Sequence, residues 1–423
     1  MTIDAQDFVT DNSPKIKMFF TNKTIFSSVF AIHRNTHVSI SYINGSDLII
    51  TPKLYIMNSN QTELYEYWGV SASYHLFTIP KTVTTIKERA FENSNVSKLD
   101  FEADSQLISI ENYAFRNCSK LYSLDFSSAG LRYIGIESFK ECIKLSSVNF
   151  ISKLLVIMNN AFENCIKLQS VNNLNNIPDS CFCGCTNLRS VNILENSRLI
   201  GYKSFENCYS LESINIPSFI ETISEYSFLN CIKLNSINFT ERNNLVKISN
   251  NSFSGCNSLQ KISNFDSDRC KCIDNTIYYK NKTGEYLIFH LNRSLDKTLI
   301  INCSVICSYS FNECNNIYNI TILPSSVSLI EKYSFNNCLN LQHINFPLSV
   351  QNVESHSFVE CRSIRCPLII ENTKLDFLRM IIYSGIPRNL IVSCKIYHDT
   401  RDFETPYIYD IASTTLILTS FCK

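Results

Sequence analysis

The sequence predicts a solenoid, with coils stacked into a right-handed arc, a parallel β-sheet on the concave face and short helical turns or short strands on the other wall. Three observations predict it. Eleven phenylalanines, Phe91, Phe115, Phe139, Phe162, Phe182, Phe205, Phe228, Phe253, Phe311, Phe335 and Phe358, recur at intervals that are mostly 23 or 24 residues, a period typical of repeat architectures. Around each phenylalanine one frame returns: a branched apolar residue five positions before, a cysteine three after, leucine or a substitute six after, and usually apolar residues nine and eleven after. At the end of the frame apolar and polar residues alternate, as in a strand with one buried face.

Each element follows from this frame. One copy reads Ile223, Phe228, Cys231, Leu234, Ile237, Phe239, its neighbour Ile200, Phe205, Cys208, Leu211, Ile214, Ile216, and a later copy Ile330, Phe335, Cys338, Leu341, Ile344, Phe346. Phe115, Cys118 and Leu121 hold the same positions in an early copy. The run L-x-x-I-x-I/F is a short strand, and each coil adds about 4.8 Å of sheet. The segment around Ala114, Phe115 and Cys118 then reads as a helical turn or tight bend on the opposite wall, with its phenylalanine at the centre. A single coil cannot bury both walls, so neighbours must stack and the two ends need caps.

Composition narrows the function classes. Lys plus Arg and Asp plus Glu both number 38, so the chain lacks the basic excess that neutralises nucleic acid or docks on an anionic membrane. The 28 Phe and 21 Tyr supply ample core, and only 9 Gly and 10 Pro argue for a chain folded nearly throughout. No stretch reaches the roughly 18 apolar residues a membrane-spanning helix needs, so the residues predict a soluble protein without membrane insertion. Asp4 and Asp7 stand where a secretory signal carries basic residues, and Met18 to Phe30 is broken by polar residues. That pattern predicts no cleaved signal peptide.

The frame resembles the BspA-like leucine-rich repeats of bacterial and protozoan surface antigens. The resemblance is carried by I-P-K-T-V-T-T-I-K-E-R-A-F from Ile79 to Phe91, I-P-S-F-I-E-T-I-S-E-Y-S-F from Ile216 to Phe228, and L-P-S-S-V-S-L-I-E-K-Y-S-F from Leu323 to Phe335. C-I-D-N-T-I-Y-Y-K-N-K-T-G-E-Y-L-I-F from Cys272 to Phe289 looks like the family's hairpin insertion, and accounts for the 58 residues between Phe253 and Phe311. The resemblance implies a leucine-rich-repeat solenoid over residues 78–366, with the insertion at about 265–302. Residues 1–77 and 367–423 read as N-terminal and C-terminal caps.

Ten cysteines, Cys118, Cys142, Cys165, Cys185, Cys208, Cys231, Cys256, Cys314, Cys338 and Cys361, hold one frame position, where leucine-rich repeats often place a buried ladder of Asn or Cys. Parallel side chains on successive coils are poorly placed for disulfides, which need converging Cβ vectors, so reduced, structural thiols are expected. The other nine, Cys181, Cys183, Cys270, Cys272, Cys303 and Cys307 among them, contain no paired zinc-site spacing, and no metal is expected.

The seven histidines, His33, His37, His75, His290, His343, His356 and His398, fall in no nucleophile, metalloprotease or phosphate-loop pattern. His398 beside Asp399 reads as solvated surface. With no nucleotide-binding loop either, the residues predict no enzyme, no cofactor and no catalytic site.

Two regions are candidates for partner binding. On the open face of the sheet, Ser123, Ser147, Ser170, Ser190, Ser213 and Ser236 form one column; Asp125, Asn149, Asn172, Asn192, Asn215, Asn238 and Asn345 form most of another. Such a ladder can bind glycans or polar protein segments. It can equally be structural, with stacked amides and hydroxyls satisfying one another, and its uniformity from coil to coil favours the structural reading. The insertion is expected to expose Tyr278, Tyr279, Lys280, Lys282, Tyr286 and His290, a mixture suited to an interface anchor, or merely to cover the flank of the arc.

The resemblance implies a cell-surface antigen or adhesin-like protein that binds host-cell or matrix proteins. The absence of a signal, the absence of a membrane helix and the reduced thiols imply instead a cytoplasmic scaffold for intracellular protein partners, so the location stays open. Sequons at Asn22, Asn44, Asn60, Asn281 and Asn292 are compatible with either, because an Asn-rich sequence generates them by accident.

Overall fold

The computed structural model describes residues 48–50, 55–58, 60–67, 76–127, 129–150, 156–249, 251–291, 297–366, 368–388, 390, 395–397 and 416–419. The chain divides into two compact units, Met1–Leu211 and Glu212–Lys423, and each is a run of solenoid coils.

In the first unit the longer strands Leu76–Ile79, Lys98–Phe101, Ser123–Asp125, Ser147–Asn149, Ser170–Leu174 and Ser190–Ile193 pair in parallel, in chain order, into one sheet. The two-residue strands Thr85–Ile86, Ser109–Ile110, Tyr133–Ile134 and Val156–Ile157 form a second parallel sheet. Side-chain alternation decides which face is buried: Val148 is buried between exposed Ser147 and Asn149, and in each short strand only the isoleucine is buried. Before the first coil, Glu63–Tyr67 joins Thr85–Ile86 in parallel, whereas Tyr55–Asn58 and Leu48–Ile50 add antiparallel strands.

The segment carrying each frame phenylalanine is a string of tight turns, not a helix. Around most of the frame phenylalanines two residues are left-handed, as at Tyr113 (φ 59°) and Asn117 (φ 57°), which flank Phe115. Left-handed backbone is cheapest for Gly and Asn, which explains Asn117, Asn164, Gly184 and Asn207 at the second of these positions. The twist aims alternate N–H groups at the next coil: Tyr113 N–H donates to Ile136 O (2.8 Å), Phe115 N–H to Ser138 O (2.7 Å) and Asn117 N–H to Lys140 O (2.7 Å). The turns therefore satisfy their backbone between coils, much as strands do.

Phe91, Phe115, Phe139, Phe162, Phe182 and Phe205 stack as a spine, with successive ring centroids 4.6, 5.1, 5.2, 5.6 and 5.7 Å apart. Aromatic pairs at this spacing add roughly 0.5–1.5 kcal/mol each beyond their burial. Most ladder cysteines share one job, donating Sγ–H to the carbonyl of the preceding frame phenylalanine: Cys142 to Phe115 O (3.2 Å), Cys165 to Phe139 O (3.2 Å), Cys185 to Phe162 O (3.1 Å).

In the second unit Ser213–Ile216, Ser236–Phe239 and Lys261–Ile262 form a parallel sheet that stops at the insertion. Thr298–Ile301, Asn319–Ile322, His343–Phe346 and Leu368–Ile370 form another, to which Leu416–Thr419 and Lys395–Tyr397 add antiparallel. Between these blocks Phe265–Asp266, Cys270–Ile273, Thr276–Asn281 and Gly284–His290 make an antiparallel meander. Its last strand runs parallel to Val305–Ile306 and so continues into the short-strand sheet. After the last coil, the helix Leu375–Tyr383 buries Phe377 and Ile381, four apart on one face. Its end accepts the turn hydrogen bonds that a further coil would take, His356 N–H to Tyr383 O (3.1 Å) and Phe358 N–H to Ser384 O (2.7 Å).

Candidate functional site

The frame residues Phe115, Cys118, Leu121, Phe228, Cys231, Leu234 and Phe335 are completely buried, and Cys338 and Leu341 nearly so. They make the core and leave recognition to the surface. Burial pushes the thiols of Cys142, Cys165, Cys185, Cys208 and Cys338 far above the ordinary cysteine range, and those of Cys183, Cys270, Cys272 and Cys303 up to about 12. Protonated thiols are poor nucleophiles and poor metal ligands.

Sixteen described cysteines are thiols, whereas Cys366, which is not one of the ten ladder cysteines expected to be reduced, is disulfide-bonded. Cys366 lies outside the repeat frame, so the stacked side-chain directions that disfavour a bond within the ladder do not constrain it. Among the described residues no group of three or more His, Cys, Asp or Glu is arranged to hold a metal ion. His398 and Asp399 lie outside the described residues.

The polar columns sit on the long-strand sheets. Ser213 pairs in register with Ser236, and Asn215 with Asn238. Ser213, Asn215 and Asn238 are exposed, while Ser236 is half-buried. Asn238 Nδ2 donates to Asn215 Oδ1 at 3.0 Å. In the first unit Asn149 Nδ2 donates to Asp125 Oδ1 at 3.1 Å, and the Ser127 N–H holds the Asp125 carboxyl below its usual range. The amides thus join neighbouring strands while keeping one side in solvent. Asn345 departs from the column: its amide donates to Ile322 O (2.9 Å) and accepts from Ile322 N–H (2.6 Å), which consumes it in backbone pairing.

The meander brings Tyr278, Tyr279 and Tyr286 together but commits each of them internally. Tyr279 and Tyr286 face one another across strands, with ring centroids 6.0 Å apart. The Tyr279 hydroxyl accepts from Arg269 Nη1 (3.3 Å), and the Tyr286 hydroxyl shares a hydrogen bond with Thr283 Oγ1 (2.7 Å). Lys271 lies over the Tyr278 ring and is ion-paired with Glu285 at 2.6 Å, and burial pushes the Tyr278 phenol up. Lys280 pairs with Asp266 at 2.8 Å. All three tyrosines are half-buried.

His290 is not exposed, contrary to the sequence expectation: it is 2% accessible, shares a 2.8 Å hydrogen bond through Nδ1 with Thr276 Oγ1, and lies in the aromatic spine. The sequence carries only a partial signal for it: Leu299 and Ile301 stand nine and eleven residues after His290, where the frame puts its strand residues, but Glu285, Arg293 and Asp296 break the frame at the positions five before, three after and six after, which conceals the coil. Among the sequons, Asn60 and Asn281 are exposed, and Asn22, Asn44 and Asn292 lie outside the described residues.

Comparison with known proteins accords with this geometry. The chain matches the BspA type leucine rich repeat region, in six copies, over residues 68–169, 166–285 and 285–375. Nothing among curated proteins matches it. Among solved structures, a leucine-rich repeat protein from Bacteroides ovatus aligns with a TM-score of 0.52 at 19% identity, covering 82% of this chain and 97% of that one. A leucine rich cell surface protein from Faecalibacterium prausnitzii aligns with a TM-score of 0.47 at 20% identity, covering 82% and 98%. At 19% identity the likeness to the Bacteroides ovatus protein concerns the fold.

Proposed function

Since this chain belongs to the BspA type leucine-rich-repeat family, we propose that it is a non-catalytic, protein-binding repeat protein, displayed at a cell surface as an antigen or adhesin-like protein for host or matrix proteins. The observation that carries the binding reading is the division of labour within each coil. Phenylalanine, cysteine and the strand leucines and isoleucines are consumed by the core, and the thiols are protonated and inert. The open sheet columns and the meander remain as the surfaces on which coils differ from a pure scaffold. Display at the surface rests on the resemblance of the repeats to those of surface antigens.

In this reading the segments 1–77 and 367–423 are caps around repeats 78–366. Two relationships support the caps: the Tyr67 N–H donates to Ala90 O at 2.8 Å ahead of the first spine coil, and the helix Leu375–Tyr383 closes the last one. The polar columns around Ser213, Asn215, Ser236 and Asn238, with glycans as a second ligand class, and the tyrosines Tyr278, Tyr279 and Tyr286 are the proposed contact regions.

The buried thiols favour a second reading, an intracellular scaffold, because reduced cysteine persists in the cytosol. Antibody labelling of intact against permeabilised cells, with surface proteolysis as control, separates the two. Labelling of intact cells that proteolysis removes is the expected result, and labelling only after permeabilisation replaces the surface reading with the scaffold.

A further inference from the structure

We propose that the first unit carries a docking stripe for an acidic, amphipathic helix of a partner protein, along the border where its turns run into its long strands. The proposal rests on the protein-binding reading and names the partner chemistry for one surface. In three successive coils the second residue after the ladder cysteine is a lysine, Lys120, Lys144 and Lys167. All three are exposed.

Register brings them together. Each lysine lies three residues before a strand serine, and Ser123, Ser147 and Ser170 pair directly with one another across the parallel sheet. The segment between stays aligned, since Ser146 N–H donates to Tyr122 O (2.9 Å) and Gln169 N–H to Ser146 O (3.1 Å). The lysines are therefore about one strand spacing apart, roughly 4.8 Å.

These cations lack the partners that other cations of the unit have. Lys87 is paired with Glu111, Arg116 with Glu137 and Lys140 with Glu163, whereas Lys120, Lys144 and Lys167 form no salt bridge among the described residues. In these three coils every residue from just after the ladder cysteine to the start of the strand is basic, neutral or apolar; the acid nearest to the lysines along the chain is Glu141, on the turn side of Cys142. The neutral balance of the whole chain thus conceals a local basic row.

Apolar side chains are interleaved with the charges. Ile143 and Ile166, immediately before two of the lysines, are 40% and 37% exposed, and Tyr122 is 45% exposed. A highly hydrated polyanion would leave these groups uncovered. A helix has one turn per 5.4 Å, and acidic residues three or four apart lie about 5–6 Å from one another on one face. Such a face presents one carboxylate to each lysine across three coils, and the apolar residues beside it cover the isoleucines. Flexible lysine stems absorb the small mismatch between 5.4 and roughly 4.8 Å.

The test uses the full chain and a fluorescent 20-residue peptide with glutamates on one helical face and leucines beside them, together with a scrambled peptide of the same composition. We expect the patterned peptide to bind, the affinity to fall as salt rises, and K120E/K144E/K167E to weaken binding at least tenfold with an unchanged melting temperature. I143S/I166S should weaken it severalfold, and K233E, on the other unit, should leave it unchanged. If the triple variant loses its fold, K144E alone is measured, with a loss of about threefold expected. Equal binding of the scrambled peptide, or charge reversal without effect, overturns the proposal. So does tighter binding of heparin that I143S/I166S leaves intact, which would make the stripe a polyanion site. Failure of the peptide overturns the stripe alone and leaves the protein-binding reading on the sheet columns and the meander, which do not include these lysines.

Discussion

His290 stacks on Phe311 with ring centroids 5.3 Å apart and an interplanar angle of 29°. It occupies the place that a phenylalanine takes in neighbouring coils, where Phe311 and Phe335 stack at 4.8 Å. Even its backbone has the phenylalanine's role, since Cys314 Sγ donates to His290 O (3.5 Å) as Cys338 does to Phe311 O (2.9 Å). The insertion is thus an enlarged coil with an imidazole in the spine.

H290F should keep the stacking and lose the hydrogen bond to Thr276, costing roughly 1 kcal/mol. H290A also removes the ring and should cost distinctly more, by analogy with large-to-small core changes. Urea unfolding measures both. If H290A costs less than about 0.5 kcal/mol, the level of a surface change, His290 does not belong to the spine.

Phe228 is completely buried, and F228A should destabilise the second unit by about 3 to 5 kcal/mol. A loss below about 1 kcal/mol in denaturant titration would show that the repeat frame is misassigned.

The ladder predicts a dependence on pH. Burial raises the Cys142 and Cys165 thiols above their ordinary value of 9.0, so the folded chain keeps protons that the unfolded chain gives up. Their contribution is fully present below about pH 9 and is lost as pH rises further, because the unfolded state then binds fewer protons. Stability followed by urea midpoint should fall between about pH 8.5 and 10.5, and the fall should be shallower in C142A/C165A than in the parent. Equal slopes would contradict the assignment of protonated thiols.

Asn275 ties the last strand of the Ser213–Ile216 sheet to the residue that follows the meander. Its Oδ1 accepts from Ile262 N–H at 2.9 Å and its carbonyl from Leu291 N–H at 3.1 Å, with its backbone left-handed at φ 60°. N275G keeps the conformation and loses one hydrogen bond, for a cost of roughly 1 kcal/mol, whereas N275A adds about 1–2 kcal/mol of left-handed strain. Hydrogen exchange at Ile262 should speed up in both variants, and an unchanged rate would remove Asn275 from this role.

The exposed pair Asn215 and Asn238 separates structure from recognition. N215A/N238A should shift stability by less than about 1 kcal/mol, as an exposed hydrogen bond does. A larger loss in thermal unfolding would make the ladder structural.

Much of the fold was legible in the residues because each coil repeats the same packing problem. Phe115, Cys118 and Leu121 announce the frame, and the alternation in Ser213–Ile216 announces which side is buried. The surfaces were harder to read. Tyr279 and Tyr286 look like free anchors in the sequence, yet Arg269 and Thr283 engage their hydroxyls, and these partners are set by strand pairing. Lys120, Lys144 and Lys167 are unremarkable one by one and become a row only through register.

By itself the sequence determined the repeat, the identity of the core and the family, because short-range spacing of apolar residues dictates which side of each coil must leave water. Tertiary structure alone decided that His290 joins the spine, that Asn275 ties Ile262 to the end of the meander, that the helix Leu375–Tyr383 ends the last coil, and that the lysines align. Each of these depends on which coil lies against which, and contacts between residues distant in the chain are set by stacking and register, which no single coil encodes.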